Sequence, residues 1–331
     1  MDEKQISQHA LSVLAAKTYR GVGRSWLVNN LSHRPQIDEI VERLERDRRV
    51  DTPVKGTELE EQFARRRAEL GDRLGRLIGD CDRVIAVGEP EFPFCRGRIK
   101  PGEYPVVLFC RGDLGLLAKG RSNAAVIGFL DPDQQIESRE RQLVAELVRG
   151  GMAIVSGLAR GCDAIAHRQT LESGGKTIAV LPSPLTNVLP AVHRELADAI
   201  VSSGGLLVTE YAEEAGSGQE LRGRYAERDR LQAMFSDCIV LAASYAKNDQ
   251  GLDSGSRLAM EFARQYGLPR LVMYDSELDA DDPRFDLNRQ LMEADSSVHA
   301  VTASTVRQIV EKVLGDRSAN SRREVQPTLF S

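Results

Sequence analysis

From residue 124 onward the chain repeats one pattern: a short continuous apolar run, a turn of glycine or small residues, then a stretch with apolar positions at helical spacing. The apolar runs lie at 124–127, 152–155, 177–181, 206–209, 238–242 and 270–274, and the amphipathic stretches between them at 137–149, 163–172, 191–202, 226–235 and 256–266. Apolar runs without alternation are what a strand shows when both its faces are covered. Alternating with helices, they predict a mostly parallel sheet with helices on both sides, a doubly wound α/β fold. In such a fold ligands sit beyond the carboxyl ends of the strands, where the strand order reverses. That edge collects the loops at Gly128, Ser156, Pro182, Glu210 and Ser244.

Residues 1–50 carry helical periodicity instead, through Ile6, Ala10, Val13 and Leu14, then Leu27 and Leu31, then Ile37, Ile40, Val41 and Leu44. Between the first two helices lies Tyr19-Arg-Gly-Val-Gly-Arg24, either a plain interhelical turn or a hairpin offering backbone N–H groups to a phosphate. A break at 51–56 precedes a charged helix at 58–78, whose Arg65-Arg-Arg67, Arg73 and Arg76 alternate with acidic residues as on a solvated face. The expected units are therefore a small helical domain (1–50), a charged helical linker (51–83) and the α/β domain (84–275). A helical extension (276–314) and a polar, disordered tail (315–331) complete the chain.

The segment Ile154-Val-Ser-Gly-Leu-Ala-Arg-Gly-Cys-Asp-Ala-Ile-Ala-His167 runs from a strand through a tight turn into a helix. Gly157 and Gly161 let backbone approach a ligand closely. Ser156 and the unpaired N–H groups of the first helical turn then make an anion site, unless the glycines serve only to pack a βα junction. Asp163 and His167 stand at the helix start, as cap and buttress. Gly174-Gly-Lys-Thr177 precedes a strand instead of following one, which excludes a P-loop.

Composition narrows the class. At 331 residues, 41% hydrophobic and 28% charged, the chain is globular α/β in type. No apolar run is long enough to span a membrane and the first residues are too polar for a signal peptide, so a cytoplasmic protein is expected. Cys81, Cys95, Cys110, Cys162 and Cys238 are scattered, without a Cys-x-x-Cys pair, so neither a disulfide framework nor a zinc site is expected. A net charge of −5 gives no bulk attraction to nucleic acid, so any such contact depends on local basic clusters. No Ser/His/Asp nucleophile set and no Walker lysine pattern is present, and no cofactor is expected.

Several blocks, in order, resemble the DprA/Smf family of DNA-processing proteins: Ile85-Ala-Val-Gly-Glu-Pro-Glu-Phe-Pro93, Pro105-Val-Val-Leu-Phe-Cys-Arg-Gly-Asp113, Ser156-Gly-Leu-Ala-Arg-Gly-Cys-Asp163, Ala166-His-Arg168, Gly174-Gly-Lys-Thr-Ile-Ala-Val-Leu181, Leu189-Pro-Ala-Val-His-Arg-Glu-Leu196, Gly205-Leu-Leu-Val-Thr-Glu210, Arg228-Asp-Arg230 and Ser254-Gly-Ser256. With the hairpin region included, the resemblance spans residues 8–275. It implies a Rossmann-like domain preceded by a helix-hairpin-helix or SAM-like helical domain, binding of single-stranded DNA, loading of RecA, and a homodimer without catalytic activity. By matching position, the DNA-contacting edge comprises Gly128, Ser156, Gly157, Ala159, Arg160, Gly161, Lys176, Arg228, Arg230, Ser254, Gly255 and Ser256.

The chain departs from the pattern at Gly128-Phe-Leu-Asp-Pro-Asp133, where the family has glycine, a small hydroxyl residue and arginine; a phosphate-binding cation is replaced by Asp131 and Asp133. Phe129 there either stacks on a base or belongs to the core. Asp229 replaces an asparagine, and too few residues follow Tyr274 for the family's winged-helix domain. These departures resemble a divergent branch, and DprA-like antitoxins paired with phosphoribosyltransferase-type toxins are the alternative reading. Finally, Gln326, Leu329 and Phe330 in the tail resemble peptides that dock on the β sliding clamp.

Overall fold

The computed structural model describes residues 6–79, 81–247 and 255–321. Nine strands form one sheet among these residues: β1 (Arg83–Ala86), β2 (Val107–Gly112), β3 (Asn123–Ile127), β4 (Ala153–Ser156), β5 (Thr177–Val180), β6 (Leu206–Thr209), β7 (Cys238–Leu241), β8 (Arg270–Met273) and β9 (Val298–Val301). Their order is β1-β2-β6-β5-β4-β3-β7-β8-β9. All pairs from β6 to β9 are parallel, whereas β1 and β2 join antiparallel at one edge. The doubly wound, Rossmann-like architecture is the one the apolar pattern predicts.

Alternation along each strand sends neighbouring residues to opposite layers. From β3, Ala125 and Ile127 join a core with α8 (Gly218–Met234) and α9 (Ser256–Tyr266). Ala124 and Val126 join another with α5 (Gln134–Arg149), α6 (Cys162–Glu172) and α11 (Val306–Ser321). The remaining helices are α1 (Gln8–Lys17), α2 (Arg24–Leu31), α3 (Ile37–Arg46), α4 (Thr57–Leu77), α7 (Arg194–Ser202) and α10 (Asp286–Ala294). The N-terminal helices do not stand apart: their core residues, among them Val13, Leu27 and Phe63, belong to one buried cluster with Val84, Phe109, Leu181 and Leu207 of the sheet region.

Four elements differ from the pattern's expectation. Helix α8 begins at Gly218, eight residues before its apolar periodicity, because Ser217 caps it by accepting from the Glu220 N–H while its first turns are polar. β9 falls in a segment that reads as helical; it is a half-exposed edge strand, so it lacks a continuous apolar run. β1 and β2 are signalled only by the family blocks around 85–93 and 105–113.

The Gly21-Val-Gly23 turn packs inward. Gly21 has φ +92° and a Cβ there would stand 1.9 Å from the Arg49 carbonyl oxygen, and the Asp51 N–H donates to the Arg20 carbonyl at 2.9 Å. Gly23, by contrast, has open space around it and a negative φ. Gly21→Ala should therefore destabilise the fold by about 2–4 kcal/mol, combining positive-φ strain with backbone overlap, while Gly23→Ala stays within about 0.5 kcal/mol. Urea unfolding of the two variants checks this; equal effects would show that the turn's geometry is not fixed by its packing on Arg49.

Candidate functional site

Strand order reverses at β3, which lies between β4 and β7, so the crevice beyond these three carboxyl ends is the expected ligand position. The chain closes it tightly. Gly128 follows β3, and a Cβ there would lie 2.5 Å from Cys162 Sγ. The Phe129 N–H donates to the Ala243 carbonyl at 3.0 Å, and its carbonyl accepts from the Cys162 N–H at 3.2 Å. Gly161, at φ +69°, passes so close to that turn that a Cβ would stand 2.4 Å from the Phe129 oxygen. Ser256, opening α9, donates from its hydroxyl to the Gly128 carbonyl at 3.1 Å, and Gly255 before it adopts the left-handed conformation. β3, β7, α6 and α9 thus converge on the glycine at 128.

The loop after β4 is organised around an internal anion. Asp163 Oδ2 accepts from the Gly157 N–H at 3.1 Å and from the Ala159 N–H at 3.3 Å. Arg228 lies across Gly157, where a Cβ would be only 1.5 Å from Nη1, and that nitrogen stands 3.5 Å from Asp163 and 3.4 Å from Asp229. Leu158, fully buried, is held at φ +58° and its carbonyl accepts from His193 Nδ1 at 2.8 Å. A non-glycine residue kept in this region costs on the order of 1–3 kcal/mol, so the surrounding contacts over-determine the loop.

Burial disfavours the charged form of three groups behind the loop. His167 is fully buried, with Nδ1 2.6 Å from the Thr177 hydroxyl, whose own hydrogen goes to the Ile154 carbonyl at 2.8 Å. Nδ1 is therefore the donor, Nε2 carries the lone pair, and burial, with His193 and Arg228 adding to it, pushes the imidazole pKa down to about 3. Asp229 is pushed up to about 7 by burial, against the pull of Arg228 and with Asp163 adding to the rise. Glu140, on α5 beside Cys162, is fully buried and held well above the usual carboxylate range, first by burial.

The structure brings together Gly128, Ser156, Gly157, Ala159, Arg160, Gly161, Arg228, Gly255 and Ser256 at this crevice, with Asp163 and His167 beneath them. It separates two others. Lys176 precedes β5, so it stands at the amino edge of the parallel sheet, where its ammonium meets the Ser203 carbonyl. Arg230 is two residues from Arg228 on a helix and therefore projects from another side of α8. It is buried against Glu210 and pairs with Glu227 at 3.2 Å, and Glu227 also holds Arg24 at 2.7 Å. The expectation that Arg160, Lys176, Arg228 and Arg230 share one edge is corrected accordingly: Arg160, exposed, and Arg228 are the two cations that belong here.

Other details also change. The Ser156 hydroxyl is buried and donates to the Val126 carbonyl at 2.7 Å, so it faces the sheet. Phe129 is buried, edge-on to Tyr245 with ring centroids 5.5 Å apart, so it is core and offers no face to a base. Leu130 beside it is the exposed apolar residue, at 56%. Asp133 caps α5 by accepting from the Ile136 N–H and pairs with Arg284, so that of the two exposed carboxylates of the altered loop Asp131 is the one without an ion pair among the described residues. The Arg160 and Gly161 N–H groups have no hydrogen-bond partner among the described residues. Ser254 and the tail residues Gln326, Leu329 and Phe330 lie outside the described residues.

The fold and crevice together define a Rossmann-like protein with a glycine-rich loop and paired cations at its switch point. Comparison with known proteins gives the family. The family model for DNA recombination-mediator protein A matches residues 83–311, and the chain belongs to this family, the DprA/Smf group. Relatives include DNA processing protein DprA of Bacillus subtilis, 27% identical over 165 residues, covering 50% of this chain and 53% of that protein. Protein Smf of Escherichia coli is 31% identical over 172 residues, covering 50% and 43%. A putative DprA of Mycobacterium tuberculosis H37Rv is 31% identical over 230 residues, covering 66% and 57%. The chain thus spans about half the length of the curated relatives it matches. Among solved structures, DprA from Streptococcus pneumoniae superposes with a TM-score of 0.65 at 23% identity, covering 90% of this chain and 95% of that one, a likeness of fold. DNA processing protein A from Helicobacter pylori, described for its single-stranded DNA binding mode, gives 0.51 at 26% identity, covering 64% and 88%.

Two of these buried groups, Asp229 and His167, act on stability with opposite sign. Asp229, its folded pKa raised, favours the fold below its unfolded value near about 4 and loses that contribution as pH rises through 7. His167, its folded pKa depressed, contributes above about 6.5 and loses it as pH falls toward 3. Asp229→Asn removes only the first effect. Its stability relative to the natural chain should therefore climb between pH 5 and 8 by about 1–3 kcal/mol, at no more than roughly 1.4 kcal/mol per pH unit. Denaturant melts at four pH values measure the difference, and a pH-independent difference would show that Asp229 does not titrate in this window.

Proposed function

We propose that this chain binds single-stranded DNA at the crevice beyond β3, β4 and β7 and acts without catalysis in DNA processing and recombination, presenting the strand for RecA loading. The observation that carries the reading is the convergence of Arg160, the Arg160 and Gly161 N–H groups and the edge of Arg228 on the switch point of a fold whose family is DNA recombination-mediator protein A. The single-stranded DNA binding mode described for the Helicobacter pylori relative supports the choice of ligand.

The chemistry is that of phosphate positioning. Backbone N–H groups and guanidinium donors grip a phosphate oxygen without reading a base, which suits a protein that must accept any sequence. Asp163 already occupies the Gly157 and Ala159 amides, so the phosphate seat is the rim of the loop, at Arg160 and Gly161, and its floor is preorganised by the Asp163–Arg228 pair. Leu130 gives the rim an apolar neighbour suited to a base or sugar.

Salt-dependent titration with a single-stranded oligonucleotide tests this. Arg160→Ala should weaken binding and reduce the magnitude of the log–log salt slope by about 0.7, the value of one phosphate contact on a single strand. Arg228→Lys, which keeps a charge between Asp163 and Asp229 but loses the planar fork, should weaken binding with a smaller change of slope. Arg230 is left unaltered, because its network with Glu210, Glu227 and Arg24 holds the N-terminal helices to α8. Unchanged affinity and slope in both variants would place the strand elsewhere.

A further inference from the structure

The opposite, amino edge of the sheet carries a feature that the crevice does not explain. A groove of about 510 Å³ opens there, lined by Arg121, Ser122, Arg149, Gly174 and Lys176 among others. Beside it the ring of Phe94 is 41% exposed, one of four large apolar side chains standing out of the surface among the described residues. Ring and groove are one rigid unit, because the guanidinium of Arg96, itself 3% exposed, donates to the Phe94 carbonyl at 3.3 Å and to the Arg121 carbonyl at 2.7 Å. Arg96 is fixed in turn by Asp237 at 2.9 Å and by the Phe235 carbonyl at 2.9 Å. Its Cζ lies 5.8 Å from the Phe94 ring centroid, and Lys119 Nζ lies 5.9 Å from it.

The charges here are unequally occupied. Arg149 pairs with Glu146 on its own helix, and the Lys176 ammonium meets the Ser203 carbonyl at the end of α7. The carbonyl ends of α5 and α6, each worth about half a negative charge, also face this edge and offset part of the positive field. Asp237 is held by Arg96 and accepts from the Asn123 N–H. Lys119 and Arg121, both exposed on one loop, have no carboxylate partner among the described residues. What remains is a fixed, exposed aromatic ring with the Lys119 ammonium against it, Arg121 on the same loop at the groove, neither cation paired with a carboxylate among the described residues, and a groove within the usual range of ligand clefts.

We propose that this amino-edge platform is a second contact for single-stranded nucleic acid: a base stacks on Phe94 while the flanking phosphates meet Lys119 and Arg121. The combination separates it from a simple anion patch, since stacking needs the aromatic face and backbone neutralisation needs the cations. An acidic protein segment would use the cations and gain nothing specific from the ring. The proposal rests on the reading of the chain as a binder of single strands, but on different residues from those of the crevice.

The test uses the full chain and a 5-iodouracil-substituted oligothymidylate, titrated against salt and photocrosslinked. Lys119→Ala/Arg121→Ala should reduce the magnitude of the salt slope by about 1.4, two contacts' worth, and Phe94→Leu should weaken binding about tenfold with the slope unchanged. Crosslinked peptides should include the one carrying Phe94. If these variants match the natural chain while Arg160→Ala loses affinity, the platform is refuted and the crevice stands. If they lose affinity while Arg160→Ala does not, the platform stands and the crevice falls. No binding by the natural chain overturns both. Competition by polyglutamate with no effect of Phe94→Leu would assign the patch to an acidic partner and overturn the nucleic-acid proposal.

Discussion

The carboxylate of Asp163 is the constraint on which the crevice depends. A buried anion costs several kcal/mol unless it is hydrogen-bonded and paired, and the loop from Ser156 to Gly161 is shaped to do both. Its Oδ2 gathers two amides of the loop, Arg228 supplies the counter-charge, and the missing side chain at Gly157 is the room that the guanidinium needs. Leu158 is held in a costly backbone conformation because both neighbours are drawn toward the same oxygen and because His193 secures its carbonyl. A loop rich in glycine at a helix start is therefore first a cage for the protein's own charge. The outer amides, of Arg160 and Gly161, are the ones the cage leaves without a partner among the described residues.

This explains what the sequence makes legible and what it does not. The parallel strands are legible because both faces are buried and their apolar runs are unbroken; β9 and the polar first turns of α8 are not, since neither has to hide an apolar face. The family blocks identify which loops meet at the switch point, but block order says nothing about which edge of the sheet a residue occupies. Lys176 shows the difference: it precedes its strand, and in a parallel sheet that alone puts it opposite the crevice. Arg228 and Arg230 show another, since two residues on a helix are separated by about 200° and cannot share one pocket wall. The bond from Gly157 to Asp163 depends on the turn between them, and no residue pattern announces it.

The charge balance of the crevice follows from the same cage. Three carboxyl groups, Glu140, Asp163 and Asp229, lie beneath a site read as binding an anion, with Arg228 as the guanidinium set among the last two. Fully ionised, they would repel a phosphate. Burial opposes this: it raises Glu140 well above the usual carboxylate range and pushes Asp229 up to about 7, so the negative charge facing the rim is less than the formal count, with Arg228 set against Asp163 and Arg160 in excess. The substitution of an acidic residue for asparagine at 229 is thus less costly to anion binding than its formal charge suggests. The carboxylates of the altered loop are similarly moderated, as Asp133 is engaged as a helix cap and by Arg284.

Helix α8 couples this balance to the rest of the chain. One side of it presents Arg228 to the loop, and another presents Arg230 and Glu227 to Glu210 and to Arg24, which opens α2 directly after the Gly21-Val-Gly23 turn. Rotating α8 to improve one set of ion pairs would disturb the other, because both are short-range and the helix is rigid over two residues. The N-terminal helices also share an uninterrupted apolar cluster with the sheet face. The position of Arg228 over Gly157 is therefore set from two directions, by Asp163 within the crevice and by the N-terminal helices through Arg24. In this chain the helical unit acts as a positioning element for the crevice as well as a neighbour of it.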